Sequence, residues 1–336
     1  MKKLAVIILN WNGLDLLQKF IPEAVRNTVS PQADLIVADN GSTDRSVDWL
    51  RGNFPQVKVI ELKKNYGFAE GYNRAIDACS GYPYTILLNS DVMVSEGWWQ
   101  PLVDFMESHP DTGACQPKIR SFRNPEYFEY AGAAGGLLDR LAYPYCRGRL
   151  FDRLEKDFGQ YDSAAVDIAW ASGAALAIRT DLYLRLGGLD PRFFAHMEEI
   201  DLCCRVHAAG FRVCFVPGPP VFHVGGASLE QGNPKKTYLN FRNNLLLIHK
   251  NTPRGLGKRR TFVRRMVDTA AVVMFLVKGD LANARAVVRA HLDFPRMARA
   301  YTDFPDRDIL RSLPGSDRRI LLDRYLPQFS HRKHNS

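Results

Sequence analysis

The first 120 residues alternate short apolar runs with amphipathic stretches. The apolar runs, most of them rich in leucine and β-branched residues, predict strands over residues 4–9, 35–38, 57–62, 85–88 and 113–119. Helical spacing of the intervening apolar residues predicts helices over residues 14–25, 43–50, 68–79 and 96–109. This alternation favours an α/β fold in which helices flank a mainly parallel sheet.

The pattern changes after residue 120. Residues 121–167 are rich in Gly, Tyr and Arg with weak periodicity, and we interpret them as an irregular insertion. Periodicity then returns and predicts strands over residues 174–178 and 211–216 and helices over residues 181–186 and 198–209. From about residue 235 the chain is expected to be a largely helical tail.

Short, mainly polar segments follow each of the first four predicted strands. They are Asn10, Trp11 and Asn12; Asp39, Asn40 and Gly41; Asn65, Tyr66 and Gly67; and Asn89, Ser90 and Asp91. Ligands of parallel sheets bind beyond the carboxyl ends of the strands. We therefore expect these groups to form a binding site at one edge of the sheet.

The net charge of +9 indicates an anionic partner, which could be a nucleotide, a nucleic acid or lipid headgroups. A cluster without acids precedes the apolar run 269–277 and contains Arg254, Lys258, Arg259, Arg260, Arg264 and Arg265. That order favours an anionic membrane surface over nucleic acid. The apolar run is about half of the roughly 18 residues that a membrane span needs. We expect the tail to lie on a membrane, with packing as core or as a homodimer contact as the alternative.

Two further features bear on location. The apolar run that follows the N-terminal lysines is cut short at Asn10 without a cleavage site, which favours a retained cytosolic strand over a signal peptide. The six cysteines show no C-x-x-C spacing, so neither a zinc site nor a disulfide framework is indicated. We expect reduced core cysteines in a cytoplasmic protein.

Two strand-end carboxylates are candidate ligands. Asp39 could accept a hydrogen bond from a base N–H or a ribose hydroxyl, or could form an Asx turn or a helix cap. Asp91 closes an Asn-Ser-Asp element and could hold Mg²⁺ or Mn²⁺, which take oxygen ligands, or could be a cap. His223 lies between an apolar strand and Gly225, and is either a second metal ligand or a structural histidine.

An acidic cluster begins the helix predicted from residue 198, where the helix dipole keeps carboxylates ionised. Asp201 is spaced to pair with Arg205 at i+4. Glu198 and Asp201 share one side of the helix, whereas Glu199 points elsewhere. Glu199 is therefore the preferred candidate for a catalytic base, with Glu198 and Asp201 as the other candidates, and acids at a helix start are also common without any catalytic role.

Six segments in order resemble the GT-A-fold glycosyltransferases of family 2, particularly their bacterial rhamnosyltransferase-like branch. They begin at Val6 (VIILNWNG), Val37 (VADNGSTD), Asn65 (NYGFAEGYN), Leu87 (LLNSD), Gly187 (GGLDPRFFAHMEEIDLCCR) and His223 (HVGGAS). The resemblance covers about residues 4–245. Asn89 stands where many members have a first aspartate, and Glu199 stands where aspartate is more usual.

The resemblance implies a nucleotide-sugar donor, a divalent cation and inverting transfer to a glycan or lipid-linked acceptor in cell-surface polysaccharide synthesis. The donor contacts would be Asn10, Trp11, Asp39, Asn65, Gly67, Asn73, Asn89 and Asp91. Asp91 and His223 would hold the metal, and Glu199 would be the base. We expect a catalytic domain over residues 1–245, with a nucleotide-binding half to residue 120 and an acceptor half after it. Residues 246–336 would form a basic helical extension.

Three other classes compete with this interpretation. A sugar nucleotidyltransferase usually opens with a glycine-rich basic loop, which residues 10–14 do not offer. A dinucleotide-dependent dehydrogenase would carry G-x-G-x-x-G after the first strand, and none occurs there. A non-catalytic carbohydrate-binding protein stays open, because sequence alone does not demonstrate turnover.

Overall fold

The computed structural model describes residues 2–129, 132–151, 153–225 and 232–321. Strands β1–β7 are Leu4–Asn10, Ala33–Asp39, Lys58–Glu61, Tyr84–Leu88, Val92–Val94, Thr112–Gln116 and Ile119–Ser121. Strands β8–β15 are Gly136–Leu138, Pro144–Cys146, Arg149–Leu150, Arg153–Leu154, Val166–Asp167, Ala175–Arg179, Arg212–Phe215 and Val221–His223. Helices α1–α6 are Leu14–Thr28, Ser46–Asn53, Phe68–Asp77, Gln100–Ser108, Thr180–Arg185 and Glu198–Ala208. Helices α7–α10 are Pro234–Lys250, Arg254–Val277, Leu281–Ala298 and Ile309–Ser312, and a 3₁₀ turn spans Pro191–Phe193.

The central sheet has the strand order β12-β14-β6-β13-β4-β1-β2-β3 in the described part of the chain. β1 pairs in parallel with β2 and β4, β2 with β3, and β14 with β6, whereas β13 and β12 run antiparallel to their neighbours. The predicted α/β fold with a mainly parallel sheet is therefore confirmed.

Helices cover both faces of this sheet. Along β1, Ala5 and Ile7 belong to a core shared with α3, α5, α6 and α7, while Leu4, Val6 and Ile8 pack against α1 and α4. Successive side chains of a strand point to opposite faces, so a strand covered on both sides must be apolar at nearly every position. This explains why the sequence shows continuous apolar runs rather than alternation.

Three local predictions were wrong. The predicted strand over residues 113–119 is two strands, β6 in the central sheet and β7 in a small sheet, and Pro117, which lacks an N–H, lies between them. The helix predicted from residue 96 begins at Gln100, and the hydroxyl of Ser95, which was expected to cap it, donates to the Pro220 carbonyl at 2.6 Å instead. The segment interpreted as irregular contains a four-stranded antiparallel sheet, β8 to β11, whose strands are too short to show periodicity.

The tail is helical, as predicted, and it packs against α6. Helix α7 runs across the boundary that we placed after residue 245, and its residues Leu245 to Ile248 are buried in the same core as Leu202 of α6. Phe294 of α9 and Tyr301 belong to that core as well. The division into two domains stays a proposal, and the tail is in part a core element.

All six cysteines are buried and unpaired, as expected. Over the ranges that the structure describes, no helix combines the length and the apolar character needed to cross a membrane.

Candidate active site

The first two strand ends meet at one edge of the sheet. Asn10 and Asp39 are register partners at the ends of β1 and β2, and both are buried. The Asn10 amide donates to Asp39 Oδ1 at 3.0 Å, and the backbone N–H of Ser42 donates to Asp39 Oδ2 at 2.9 Å. Asp39 thus bonds to the backbone three residues on, and its role in nucleoside binding stays a prediction. Asn10 Oδ1 is buried without a hydrogen-bond partner in the described residues, which leaves an acceptor for a ligand at this edge.

The third strand end is held by Asn40, which follows Asp39. Its amide nitrogen donates to Asn65 Oδ1 at 3.2 Å and to the Gly67 carbonyl at 3.0 Å, and its oxygen accepts from the backbone N–H of Tyr66. These bonds bring Asn65 and Gly67 to the edge formed by Asn10 and Asp39. Trp11 lies beside Asn10 and is 57% exposed, so its indole is open to a stacking partner.

Asn73 was expected to contact the donor, but its amide already has protein partners. Its oxygen accepts from Tyr183 and from the backbone N–H of Leu189, at 2.6 and 2.8 Å, and its nitrogen donates to the Leu189 carbonyl at 2.8 Å. These bonds tie α3 to the segment that leads towards α6. A direct role of Asn73 in donor binding stays a prediction.

Long-range strand pairing brings Asp91 and His223 together. β15 pairs antiparallel with β5, so that His223 lies opposite Val92, the residue after Asp91. His223 Nε2 is 3.2 Å from Asp91 Oδ1 and 3.5 Å from the Asn89 amide nitrogen, and both Asp91 and His223 are buried. Three of the predicted site residues therefore form one cluster beyond the end of β4.

Glu129 completes this cluster and was missed from the sequence. Its carboxylate lies 3.5 Å from His223 Nδ1, and its backbone N–H donates to the Ile119 carbonyl, which places it beside β7. Burial lowers the pKa of His223, but the bonds and charges of Glu129 and Asp91 outweigh it and raise that pKa to about 10. A carboxylate on the far nitrogen fixes the orientation of a metal-binding imidazole.

Gly225 leaves room for the carboxylate of Glu129. Gly225 has a φ of +67°, and a Cβ on it would lie 2.6 Å from Glu129 Oε1. In the sequence, Gly225 indicates that another group packs closely against the backbone near His223. It does not identify that group as Glu129.

The donor set fits a divalent cation held together with a ligand. Neighbouring ligands about 2.1 Å from an octahedral cation are about 3 Å apart, close to the separation of Asp91 Oδ1 and His223 Nε2. In the described ranges no group of three or more His, Cys, Asp or Glu side chains is arranged to hold a metal ion. The chain would therefore supply Asp91 and His223, and phosphate oxygens would fill other positions.

Glu198 and Glu199 occupy the first turn of α6. A Cβ on Gly173 would lie 3.8 Å from Glu199 Cβ, and the next carbonyl, that of Ala174, accepts from the backbone N–H of Asn89 at 3.1 Å. Glu199 therefore lies at the same strand-end edge as Asn89. One carboxylate oxygen of each glutamate is buried without a hydrogen-bond partner among the described residues.

The two carboxylates have raised pKa values. Burial raises the pKa of Glu199 to about 7, although backbone N–H groups at the start of α6 oppose this. Burial and the charge of Glu199 raise the pKa of Glu198 well above its usual range. A carboxyl group that titrates near 7 is suited to general base catalysis.

Asp201 is fully buried and points away from this pair. It forms the expected i+4 ion pair with Arg205 at 2.9 Å, and Lys250 and Asn251 of the tail also donate to it, at 2.8 and 3.2 Å. The predicted pair therefore exists, and packing of the tail buries its carboxylate. The geometry favours a supporting role for Asp201.

Comparison with known proteins agrees with this architecture. The model for "Glycosyl transferase family 2" matches residues 5–166. The N-acetylglucosaminyl-diphospho-decaprenol L-rhamnosyltransferase of Mycobacterium tuberculosis is 27% identical over 242 residues, which cover 66% of this chain and 75% of the relative. The mannosyltransferase PcManGT of Pyrobaculum calidifontis, solved with GDP-Man and Mn²⁺, superposes with a TM-score of 0.53 at 13% identity over 87% of each chain. GalNAc-T7, solved with UDP, GalNAc and Mn²⁺, gives a TM-score of 0.57 at 16% identity over 74% of this chain and about half, 48%, of that one.

The fold and the family match define a glycosyltransferase with a GT-A fold. Residues 5–166 match glycosyl transferase family 2, and the chain is distantly related to bacterial rhamnosyltransferases.

Proposed function

We propose that this protein is an inverting glycosyltransferase. It transfers a sugar from a nucleoside-diphosphate donor to a hydroxyl of a glycan or lipid-linked acceptor in cell-surface polysaccharide synthesis. The observation that carries this proposal is Glu199, a carboxylate at the strand-end edge with one buried oxygen and a pKa of about 7. Unlike Asp201, it has an oxygen without a hydrogen-bond partner in the described chain, and that oxygen can accept a proton.

The donor binds along the strand ends. Asn10, Trp11 and Asp39 contact the nucleoside, with polar groups for hydrogen bonds and an exposed indole for stacking. Asn65, Gly67 and Asn89 line the path towards the sugar. A divalent cation held by Asp91 and His223 neutralises charge on the leaving diphosphate when it is bound.

Glu199 removes the proton from the acceptor hydroxyl as its oxygen attacks the anomeric carbon. The new glycosidic bond forms on the face opposite the diphosphate, which leaves with the electron pair of the broken C–O bond. The carboxylate ends the step as a carboxylic acid, and a single displacement inverts the anomeric centre. Burial of Glu199, opposed by the backbone N–H groups at the start of α6, keeps the pKa of this base near neutrality.

Substitution of Glu199 tests this assignment. Glu199→Gln keeps the shape but removes the proton acceptor, so kcat should fall by roughly 10² to 10⁴ while donor affinity changes little. The wild-type kcat/KM should rise with pH through about 7, because only the deprotonated form accepts a proton. Activity would be measured with a panel of nucleotide sugars that includes nucleoside-diphosphate rhamnose, and the anomeric configuration of the product by NMR.

Two results would contradict the assignment. A Glu199→Gln enzyme with near wild-type kcat moves the base elsewhere, with Glu198 as the next candidate. A product that retains the donor's anomeric configuration rules out single displacement. Protein that binds the donor but turns over none of the panel supports the carbohydrate-binding alternative, and release of a sugar phosphate supports a nucleotidyltransferase.

We also propose that the enzyme works at an anionic membrane surface. Eleven of the fifteen large hydrophobic side chains exposed in the described residues lie on α8 or α9. On α8 the exposed stripe consists of Phe262, Met266, Val273 and Val277, and it lies opposite the buried face formed by Gly257, Thr261, Arg264 and Asp268. One face of α8 packs on the body, and the other presents an apolar surface.

The charges around this stripe match an anionic surface. Asp268 is the sole acidic residue of α8, and it is buried. Two members of the predicted basic cluster are not available to contact lipid headgroups, because Arg264 is buried against Asp268 and Arg260 pairs with Asp308 at 2.7 Å. Arg254, Lys258 and Arg259 are exposed, and each basic side chain near an anionic leaflet contributes about 1 kcal/mol.

Point substitutions test the surface better than truncation, because removing α9 would expose the core around α7. Phe262→Ser with Met266→Ser should weaken sedimentation with phosphatidylglycerol vesicles at least about tenfold, since full burial of each side chain is worth about 1.5–3 kcal/mol. Phe158→Ser is the matched control, because Phe158 is 82% exposed and lies outside α8. The stripe is a homodimer contact instead if two results are found together. The full chain would not bind such vesicles at low salt, and it would sediment as a dimer whereas the double variant sediments as a monomer.

A further inference from the structure

The segment that leads into α6 has a constrained backbone. Phe194, His196 and Met197 have φ angles of 67°, 68° and 74°, a region that side chains other than glycine rarely adopt. Such conformations persist when the surrounding structure imposes them, and they cluster at functional sites. Glu199 follows Met197 by two residues, so the position of its carboxylate depends on this backbone.

One side chain of α7 holds the segment. Asn243 is fully buried, and its amide nitrogen lies 2.9 Å from the carbonyl of Phe193, 2.8 Å from that of Ala195 and 2.7 Å from that of His196. The nitrogen has two hydrogens for three acceptors, so one N–H is shared. A single amide therefore binds three carbonyls within four residues of the segment.

Arg242 fixes the orientation of that amide. Asn243 Oδ1 accepts from Arg242 Nε at 2.9 Å and from Nη2 at 2.7 Å, and Nη2 also donates to the Phe193 carbonyl at 2.7 Å. A guanidinium only donates, so the amide oxygen must face it and the amide nitrogen must face the carbonyls. No other uncharged side chain of similar size offers both a double donor and an acceptor in this geometry.

We infer that Asn243 is a positioning residue, which holds residues 193–197 in the backbone conformation that delivers Glu199 to the acceptor hydroxyl. This inference rests on the proposed role of Glu199. Misplacement of a catalytic group by about 1 Å can cost about 10²-fold in rate. Loss of the amide should therefore lower kcat and leave binding of the donor nucleotide unchanged, because the nucleoside contacts lie on β1 and β2.

The neighbouring residue supplies a matched control. Asn244 is also buried on α7, but its amide bonds to the Ala142 carbonyl and to Arg264, away from the segment before α6. Asn243→Ala and Asn244→Ala each remove a buried amide from the same helix. Both should lower the melting temperature, but Asn243→Ala alone should lower kcat by about 10- to 100-fold and move the apparent pKa of the kcat/KM profile away from 7.

A double-mutant cycle separates this inference from the proposed function. If Asn243 acts through Glu199, Asn243→Ala should have little further effect on the residual kcat of Glu199→Gln. Near wild-type activity of Glu199→Gln alone would refute the proposed function. Loss of activity in Glu199→Gln with a fully additive effect of Asn243→Ala, or an equal loss of kcat in Asn244→Ala, would refute the positioning role. If Asn243→Ala does not fold, Asn243→Ser, which keeps one hydrogen-bond donor, replaces it in the comparisons with Asn244→Ala and with Glu199→Gln.

Discussion

Asp201→Asn tests whether contacts from the tail stabilise α6. Asp201 is fully buried, and its carboxylate accepts from Arg205, Lys250 and Asn251. Asparagine has the same shape but no charge, and one of its ends would present a donor to the two cations. Breaking a buried ion pair costs about 3–5 kcal/mol. In the variant, Arg205 still donates to the carbonyls of Leu186 and Gly188, and Lys250 still pairs with Asp190. Because both cations retain partners, we expect a loss of stability at the lower end of this range.

A loss of about 3 kcal/mol corresponds to a fall in melting temperature of about 4 °C, from an unfolding entropy of about 2.1 cal/mol/K per residue over 336 residues. Urea denaturation would give the free energy of unfolding, and scanning calorimetry the melting temperature. Glu23→Gln is the control, because it breaks the exposed pair with Arg26, worth a few tenths of a kcal/mol. If the two variants lose equal stability, the buried network does not hold α6. A loss of kcat without loss of stability would instead return Asp201 to the catalytic candidates.

Two other substitutions test the pair Glu198 and Glu199 and the cluster of Asp91, His223 and Glu129. Burial raises the pKa of Glu198, so its protonated form stabilises the fold at low pH and that stability is lost as pH rises through the folded-state pKa. Glu198→Gln should therefore raise the melting temperature at pH 8 more than at pH 5, and equal shifts at both pH values would contradict this pKa direction. Gly225→Ala should displace Glu129 and weaken Mn²⁺ binding in the presence of nucleotide by about 10- to 100-fold, as measured by calorimetry. Gly187→Ala has a similar positive φ without a close neighbour, and an equal effect there would show that backbone strain alone is responsible.

Most elements of residues 4–120 could be predicted from the sequence. Apolar runs showed where β1, β2 and β4 lie, and the polar residues that end them fall at one edge because parallel neighbours end together. The Asp201–Arg205 pair was also predictable, since it depends only on helical spacing. In each case the relevant neighbours lie within one turn of a helix or at equivalent ends of parallel strands.

The cluster around His223 and the surroundings of Glu199 depended on contacts between distant segments. Glu129 lies in an insertion without periodicity, and it reaches His223 because β7 and β15 pair. Asn243 acts across about 50 residues on the backbone before Glu199, and no local pattern distinguishes it from Asn244. In the basic cluster, tertiary packing decided that Arg264 is buried while Arg259 is exposed.

The sequence by itself determined most of the elements, the family motifs and the sheet edge at which the polar residues meet, because hydrophobic period and strand-end chemistry are local properties of the chain. Only the tertiary structure decided which buried carboxylate has a pKa near neutrality, which residues orient it, and which face of α8 is left apolar and exposed. Burial and hydrogen-bond partners determine those properties, and both are supplied by residues far away in the chain.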